Sequence, residues 1–509
     1  MRVAFISNAY ESMGFEYLSA VLKKAGHDVK LFMDPELFND SDTTISLLGK
    51  VFDFKTQMLT DLKPFKPDLV AFSVITDSFL WACELARRIK KEMDVPIVFG
   101  GIHATSSPES VIQNDFIDMV CLGEGEYALL DLVESISRGP VDQTIKNIWF
   151  KTDGKIIKND IRPLIQDLDA LPFADKDLYY SVSPHFRFCY YTVTNRGCPH
   201  ACSYCIHSYL KKLYQGKGKY CRQRSVDNVI KELVSAKSAY RISLVRFMDD
   251  CFPTEINWLN EFKEKYSREV GLPFLCYLYP CQVTPEVLEA LQDSGCVEIN
   301  LGIQSWDENI RRKVLHRMED NKTLEQLLDI GRQFNFSFVL DIISGIPGES
   351  LDSLFEFLQM CRVKKLGSVN FYWLKYYPAV TITREAYKNG LISQEQVSKT
   401  AQGNLGRNFA VGGDTENTDS RKLYLFFLLC RCLPAQTARW LYQRKAYAVM
   451  PGFIPLRILY FFWNFPANNY ELKYIHKMQK YYYKHFIWVR IKQHAHRAWF
   501  QIRKFSRKD

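Results

Sequence analysis

Cys198-Pro199-His200-Ala201-Cys202-Ser203-Tyr204-Cys205 places three thiols at C-x3-C-x2-C spacing, and Thr194-Asn195-Arg196-Gly197 leads into them. Three thiolates this close can hold three corners of a cubane 4Fe-4S cluster, leaving the fourth iron open to a small molecule. An open iron implies chemistry at the cluster rather than electron storage alone. The same thiols suit zinc only if a fourth ligand joins them, and His200 and His207 are the nearby imidazoles. The rest of the fourteen cysteines are scattered. Cys276, Cys281, Cys430 and Cys432 form no second C-x2-C group, so they read as small apolar side chains rather than a second cluster or a disulfide framework. Reduced thiols suit a reducing compartment.

The elements that position this motif follow from the surrounding pattern. At 509 residues, 47% hydrophobic and 24% charged, the chain has ordinary globular content and room for several domains. Its first part alternates apolar runs at residues 3–7, 29–32, 69–73, 97–100 and 119–122 with helical patterns such as 15–25 and 79–91. Such alternation predicts a parallel, doubly wound sheet, which binds ligands at the carboxyl ends of its strands. The loops expected there carry Gly100-Gly101-Ile102-His103-Ala104-Thr105 and Gly123-Glu124-Gly125-Glu126. Glycines there either admit a bulky ligand or simply make tight turns. A second alternating section follows the cysteines, with strands expected over 190–194, 244–248, 275–278, 297–301, 339–343 and 370–374, and a helix over 227–236. The alternation permits a partial barrel or an open sheet. Polar groups fall at the strand ends, where a barrel keeps its chemistry: Asp249-Asp250, Gly302-Ile303-Gln304-Ser305 and Gly345-Ile346-Pro347-Gly348-Glu349.

The cysteine spacing, with Tyr204 before the third thiol, resembles the signature of the radical S-adenosylmethionine (SAM) enzymes. The glycine motifs upstream resemble the cobalamin-binding domain of the cobalamin-dependent members, and Leu171-Pro172-Phe173-Ala174-Asp175 resembles their interdomain bridge. The resemblance implies an α/β chain in four parts. These are a flavodoxin-like (Rossmann-type) cobalamin-binding domain over 1–145, a linker over 146–185, a partial (β/α)6 radical SAM barrel over 186–388, and a mainly helical C-terminal region over 389–509. It implies a 4Fe-4S cluster on Cys198, Cys202 and Cys205, together with SAM and cobalamin as cofactors. SAM contacts are expected from Tyr204, Asp249, Asp250, Glu298, Gln304, Ser305, Arg317, Gly345 and Glu349. Cobalamin contacts are expected from Asn8, Gly14, Ser73, Thr76, Gly100, Gly101, His103, Gly123 and Glu124. The D-x-H-x-x-G motif that supplies a cobalt-ligating histidine in many cobalamin domains is missing from the sequence, so no such ligand is assigned; His27 reads as a turn residue. The implied activity is methyl transfer to an unactivated carbon through a 5'-deoxyadenosyl radical. Oxidative cyclisation or ring rearrangement with the same parts, and a non-enzymatic cobalamin or iron-sulfur sensor, remain open.

The C-terminal region interleaves aromatic and basic residues, as in 457–463 and in Lys480-Tyr481-Tyr482-Tyr483-Lys484, within a chain of net charge +9. This reads either as a cap on the barrel or as a surface attracted to anionic headgroups; nucleic acid is the least expected partner. The start of the chain reads as a strand rather than a signal peptide, and no stretch approaches the ~18–20 uncharged apolar residues that span a bilayer. The expected setting is the cytoplasm, with peripheral membrane contact left open. The expected partners are an electron donor such as flavodoxin or ferredoxin and a small-molecule or lipid-like substrate. If the three thiols are the whole ligand set, anaerobic reconstitution gives about four irons per chain, and replacing Cys198, Cys202 and Cys205 by alanine abolishes both iron binding and 5'-deoxyadenosine formation. A full cluster in the triple variant would overturn the assignment.

Overall fold

The computed structural model describes residues 1–38, 46–364, 368–405, 422–423, 425–426, 433–450 and 477–492. The N-terminal strands are β1 (Arg2–Ser7), β2 (Asp28–Met33), β3 (Leu69–Ser73), β4 (Ile97–Gly100), β5 (Met119–Cys121), β6 (Ile148–Thr152) and β7 (Lys155–Ile157). They lie in the order β2-β1-β3-β4-β5-β6-β7. The first five are parallel, and their 2-1-3-4-5 order is the flavodoxin-like one, with its switch point between β1 and β3. Alternate side chains serve two cores: Ala4, Ile6, Val70, Phe72, Ile97 and Phe99 on one face, Val3, Phe5, Leu69, Ala71 and Val98 on the other. Burial on both faces is why these strands read as unbroken apolar runs. The sheet then continues through β6 and β7, both antiparallel, into the stretch read from sequence as linker.

The remaining strands are β8 (Tyr190–Thr192), β9 (Asn195–Arg196), β10 (Arg222–Gln223), β11 (Val245–Phe247), β12 (Phe274–Leu278), β13 (Cys296–Gln304), β14 (Ser337–Ser344) and β15 (Ser368–Trp373). Six of them pair in parallel in simple sequence order, β8-β11-β12-β13-β14-β15, with β8 and β15 at the two ends. One side of each strand, including Val245, Phe247, Cys276, Ile299, Leu301 and Leu340, packs against helix residues such as Leu233, Phe262, Leu288 and Leu358. Sequential order with helices on one side makes an open barrel arc, and decides against the open sheet that the alternation also permitted. The short antiparallel ribbon β9–β10 brings Arg196 and Arg222 into register just before the cluster motif.

The C-terminal region divides in two. Leu423, Phe426, Ala438 and Tyr447 join the core on the barrel's helical side, and Tyr442 stacks on Phe355 at 3.9 Å, so this part is a cap. Residues 477–492 form a helix that returns to the N-terminal domain. It inserts Tyr482 and Phe486 into that core, and the Tyr482 hydroxyl donates to the Pro35 carbonyl. The expected aromatic and basic surface is therefore half internal, while Tyr481, Trp488 and Ile491 face outward. Residues 457–463, Cys430 and Cys432 lie outside the described residues. No helix among the described residues is long and apolar enough to cross a membrane.

The bridge between the domains is held by charge. Asp175 accepts from Ser19 Oγ at 2.5 Å and pairs with Lys23 at 2.7 Å. Lys176 is 1% exposed, lies 2.8 Å from Glu11 and 2.6 Å from Glu16, and sits 5.0 Å from the Tyr190 ring centre on β8. Burial disfavours the ammonium, but the two carboxylates outweigh it and keep it charged; burial foremost raises Glu16 well above the usual carboxylate range. Removing Lys176 strands these carboxylates in the interior. Lys176→Ala should cost about 3 kcal/mol or more in urea unfolding, and Glu16→Gln in the same chain should return part of it. Equal stability of the single variant and the parent would show that the lysine is dispensable.

Candidate functional site

The cluster loop runs from β9 to the helix His207–Leu213. Gly197 has φ 91°, and a Cβ there would strike the Tyr220 carbonyl, so the residue before the first cysteine position is restricted to glycine by both backbone and space. Ser203 Oγ donates to the Val314 carbonyl at 2.5 Å, and Lys211 Nζ donates to the carbonyls of Pro199 and His200 at 2.6 and 2.7 Å. Cys198 and Cys202 are buried and Cys205 is half-buried. Burial pushes the Cys198 thiol up to about 11 and Cys205 up to about 12, so they ionise on binding iron rather than beforehand. Among the described residues, no three His, Cys, Asp or Glu side chains converge on a point that one metal ion could occupy. A cubane instead puts each thiolate on its own iron, and the three cysteines of this strapped loop fit that donor set.

Arg317 packs against the loop. Its guanidinium donates to the Gly302 carbonyl at 2.6 Å, to Glu319 at 2.7 Å and to the Tyr204 hydroxyl at 3.2 Å, and lies 3.9 Å from Cys202 Sγ. It also lies 4.1 Å from the ring centre of Tyr279, on which His200 stacks at 3.4 Å. Of the residues expected near SAM, Tyr204 and Arg317 thus meet beside the cluster. The Gln304 amide folds back toward them, into the space a Cβ on Gly302 would take. Gln304 itself has φ 70°, where the register of β13 against β14 shifts. Ser305 and Glu349 form a second group, hydrogen-bonded to each other, just beyond Gly345, which turns the chain after β14 with φ 78°. Glu298 is fully buried within β13.

Asp249 and Asp250 face elsewhere. They line a cavity of about 390 Å³ between the two domains, together with Gly14, Ser73, Gly100, Gly101, Gly123 and Glu124 on the opposite wall. Six of the nine expected cobalamin residues therefore share one cavity with two expected SAM residues. The other three are not among its lining: Asn8 donates to Glu36 at 3.2 Å, while His103 and Thr76 bond to each other at 3.1 Å inside the fold. His103 is fully buried against Phe79, and burial lowers it to about 4, so it is a neutral core histidine.

Two of the glycines answer to protein rather than to ligand. A Cβ on Gly101 would lie 2.7 Å from Val74 N, and one on Gly123 would collide with the Tyr214 hydroxyl, which accepts from Glu124 N at 2.9 Å. Glu124 is saturated by Arg196 at 3.2 Å, Arg222 at 2.7 Å and Ile165 N at 2.8 Å, and Glu126 pairs with Arg196 at 2.6 Å. These acids join the domains, and Arg196, Arg222 and Tyr214 were not assigned a role from sequence. Their signal was the arginine in the Thr-Asn-Arg-Gly entry and the acids of Gly-Glu-Gly-Glu, whose pairing is long-range. A second tie joins the far strand: Lys375, just past β15, and Tyr377 both hold Asp77, the hydroxyl at 3.0 Å.

The cavity wall suits a corrinoid, whose rim carries carboxamides, in its hydrogen-bond acceptors. The Asp249 Oδ2 and Asn195 Oδ1 atoms are buried acceptors without a donor, facing a glycine-rich wall. Glu349, outside that cavity lining, carries a pH signature of its own. Burial raises its carboxyl from the usual 4.5 to about 8, against the Ser305 hydrogen bond. A folded-state pKa above the unfolded one favours folding at low pH and loses that contribution as pH rises toward 8. Glu349→Gln should therefore flatten the fall in stability between about pH 4.5 and 8 seen in urea titrations. An unchanged slope would remove Glu349 as its source.

Two families match the sequence: the B12 binding domain over residues 2–133 and the radical SAM superfamily over 192–361. An uncharacterized methyltransferase of Pyrococcus horikoshii, PH0819, is 26% identical over 75% of this chain and 79% of its own. The anaerobic magnesium-protoporphyrin IX monomethyl ester cyclase of Rubrivivax gelatinosus is 25% identical over 74% and 68%. The fold is also similar to that of TsrM, a radical SAM methyltransferase of Kitasatospora setae solved with cobalamin and a 4Fe-4S cluster, with a TM-score of 0.61 at 18% identity over 76% of this chain and 78% of that one. With a flavodoxin-order sheet and a parallel barrel arc meeting at one cavity, at the entry to a strapped three-cysteine loop, the chain joins a B12 binding domain to a radical SAM domain, the two parts of the cobalamin-dependent radical SAM enzymes.

Proposed function

We propose that this enzyme transfers a methyl group from SAM to an unactivated carbon of a small molecule. The observation that carries the reading is the shared cavity: the carboxyl ends of the cobalamin-domain strands and the rim of the barrel face each other across it, beside the cluster loop. When bound, the cluster and SAM supply a 5'-deoxyadenosyl radical and cobalamin carries the methyl group.

The chain's own residues would do the rest. Cys198, Cys202 and Cys205 would hold three irons. Arg317 holds Tyr204 and the Gly302 carbonyl beside Cys202. Ser305 and Glu349 form a part-buried polar pair along the barrel rim, and the ion pairs of Arg196 keep the cluster loop in register with the cavity. Electrons would come from a reduced flavodoxin or ferredoxin. Trp488, Tyr481 and Ile491, with Lys480 and Lys484 nearby in sequence, support contact with an anionic membrane surface by the outer side of the last helix.

The cyclase relative favours a second reading, radical oxidative cyclisation without methyl transfer. SAM carrying a deuterated methyl group separates the two. With the reduced, cofactor-loaded enzyme and its substrate, methyl transfer yields both S-adenosylhomocysteine and 5'-deoxyadenosine, and places the label in product by mass spectrometry. Cyclisation yields 5'-deoxyadenosine and unlabelled product. A protein that leaves SAM uncleaved under reducing conditions would be a sensor instead.

A further inference from the structure

The barrel side of the interdomain cavity is built from hydrogen-bond acceptors. Asp249 Oδ1 receives the backbone N–H groups of Thr194 and Asn195, at 2.8 and 2.7 Å, and the Thr194 hydroxyl at 3.0 Å. These three donors fix the carboxyl plane and turn the second oxygen, Oδ2, away from them. Asn195 Nδ2 donates to the Cys251 carbonyl at 2.8 Å, which fixes that amide too and leaves its Oδ1 on the other side. Both Oδ2 and Oδ1 are buried without a donor, on residues that line the cavity, and Asp249 is 3% exposed. Buried acceptors held this rigidly are costly to leave unpaired. An N–H group is a partner that satisfies both oxygens. Arg196, the cation on the same wall, is already held by Glu124 and Glu126 and gives no donor to these oxygens.

We propose that Asn195 Oδ1 and Asp249 Oδ2 form a carboxamide subsite, by which the radical SAM barrel grips the amide-bearing edge of the corrin ring. The inference rests on the reading that this cavity holds cobalamin. It moves Asp249 from the SAM amino group, where the resemblance put it, to the corrinoid. The N–H donor could also come from the SAM ammonium, and the cavity decides between them. Asp249 lines the space faced by the loops of β3, β4 and β5, whereas Tyr204, Ser305, Arg317 and Glu349 do not line it.

Binding to the full-length, anaerobically reconstituted chain tests this without turnover. Hydroxocobalamin affinity is read by absorbance and SAM affinity by equilibrium dialysis, with iron content and thermal unfolding as controls on folding. Asp249→Asn retains the oxygen that Thr194 and Asn195 require, so it points an NH2 donor into the cavity where an acceptor stood. It should weaken hydroxocobalamin about tenfold, and Asn195→Ala should act in the same direction, with SAM binding unchanged in both. A corrinoid with one of its peripheral carboxamides hydrolysed to the acid supplies the converse. The acid derivative that seats its carboxylate against Asp249 should bind the parent poorly and regain affinity in Asp249→Asn. Unchanged hydroxocobalamin binding in both folded variants, or a loss of SAM affinity with the corrinoid retained, overturns the subsite while leaving the cofactor assignment standing. A parent chain that binds no corrinoid overturns both.

Discussion

The two halves of this protein are registered on one guanidinium. Arg196 reaches Glu124 and Glu126 of the cobalamin domain and lies 5.1 Å from the ring centre of Tyr17. Two residues later the chain enters Cys198. Burial works against the arginine's charge, and the two carboxylates outweigh it. An ion pair of this kind contributes little net stability over an apolar contact of the same shape, but it is intolerant of misalignment. Its gain is orientation. With Arg222 paired to β9 and sharing Glu124, the loop bearing the cluster ligands has little freedom to shift relative to the cavity.

Other contacts make the same joint rigid at different heights. Lys176 ties the bridge to the first helix, and Tyr190 beside it donates to Glu232, which Arg224 neutralises at 2.6 Å. Lys375 and Tyr377 tie the last strand to the loop after β3. Lys375 pairs a buried charge across the domain boundary and Lys176 pairs one between the bridge and the first domain, where an apolar seam would resist sliding less. The cavity is thus framed by contacts that specify position, as an enzyme with more than one cofactor requires of its scaffold.

The strands of both sheets were legible to within one or two residues at most ends, because parallel strands buried on both faces leave apolar runs no other element makes at that length. The three cysteines were legible because their spacing is local. What escaped shares one property. β6 and β7 are antiparallel, and β7 is partly exposed, so Lys155-Ile156-Ile157 has the texture of a linker. Glu124 and Arg196 are 72 residues apart, and no periodicity connects them. The glycines of the cobalamin-domain loops fitted either a bulky ligand or a tight turn in the sequence, and only coordinates reveal that a Cβ on Gly101 or Gly123, both lining the cavity, would also meet Val74 or Tyr214.

The return of residues 477–492 to the first domain bears on how the protein is made. Tyr482 and Phe486 belong to the core that Val3, Phe5 and Leu31 build, and His185 packs edge-on to Tyr482 at 4.8 Å. During synthesis the N-terminal sheet emerges first and can begin to fold. One flank of its core nevertheless stays uncovered until the ribosome has passed the barrel and reached the helix over 477–492. The sheet domain therefore appears before the barrel and is finished after it, and a nascent chain stalled short of this helix would expose an apolar face for chaperones to recognise.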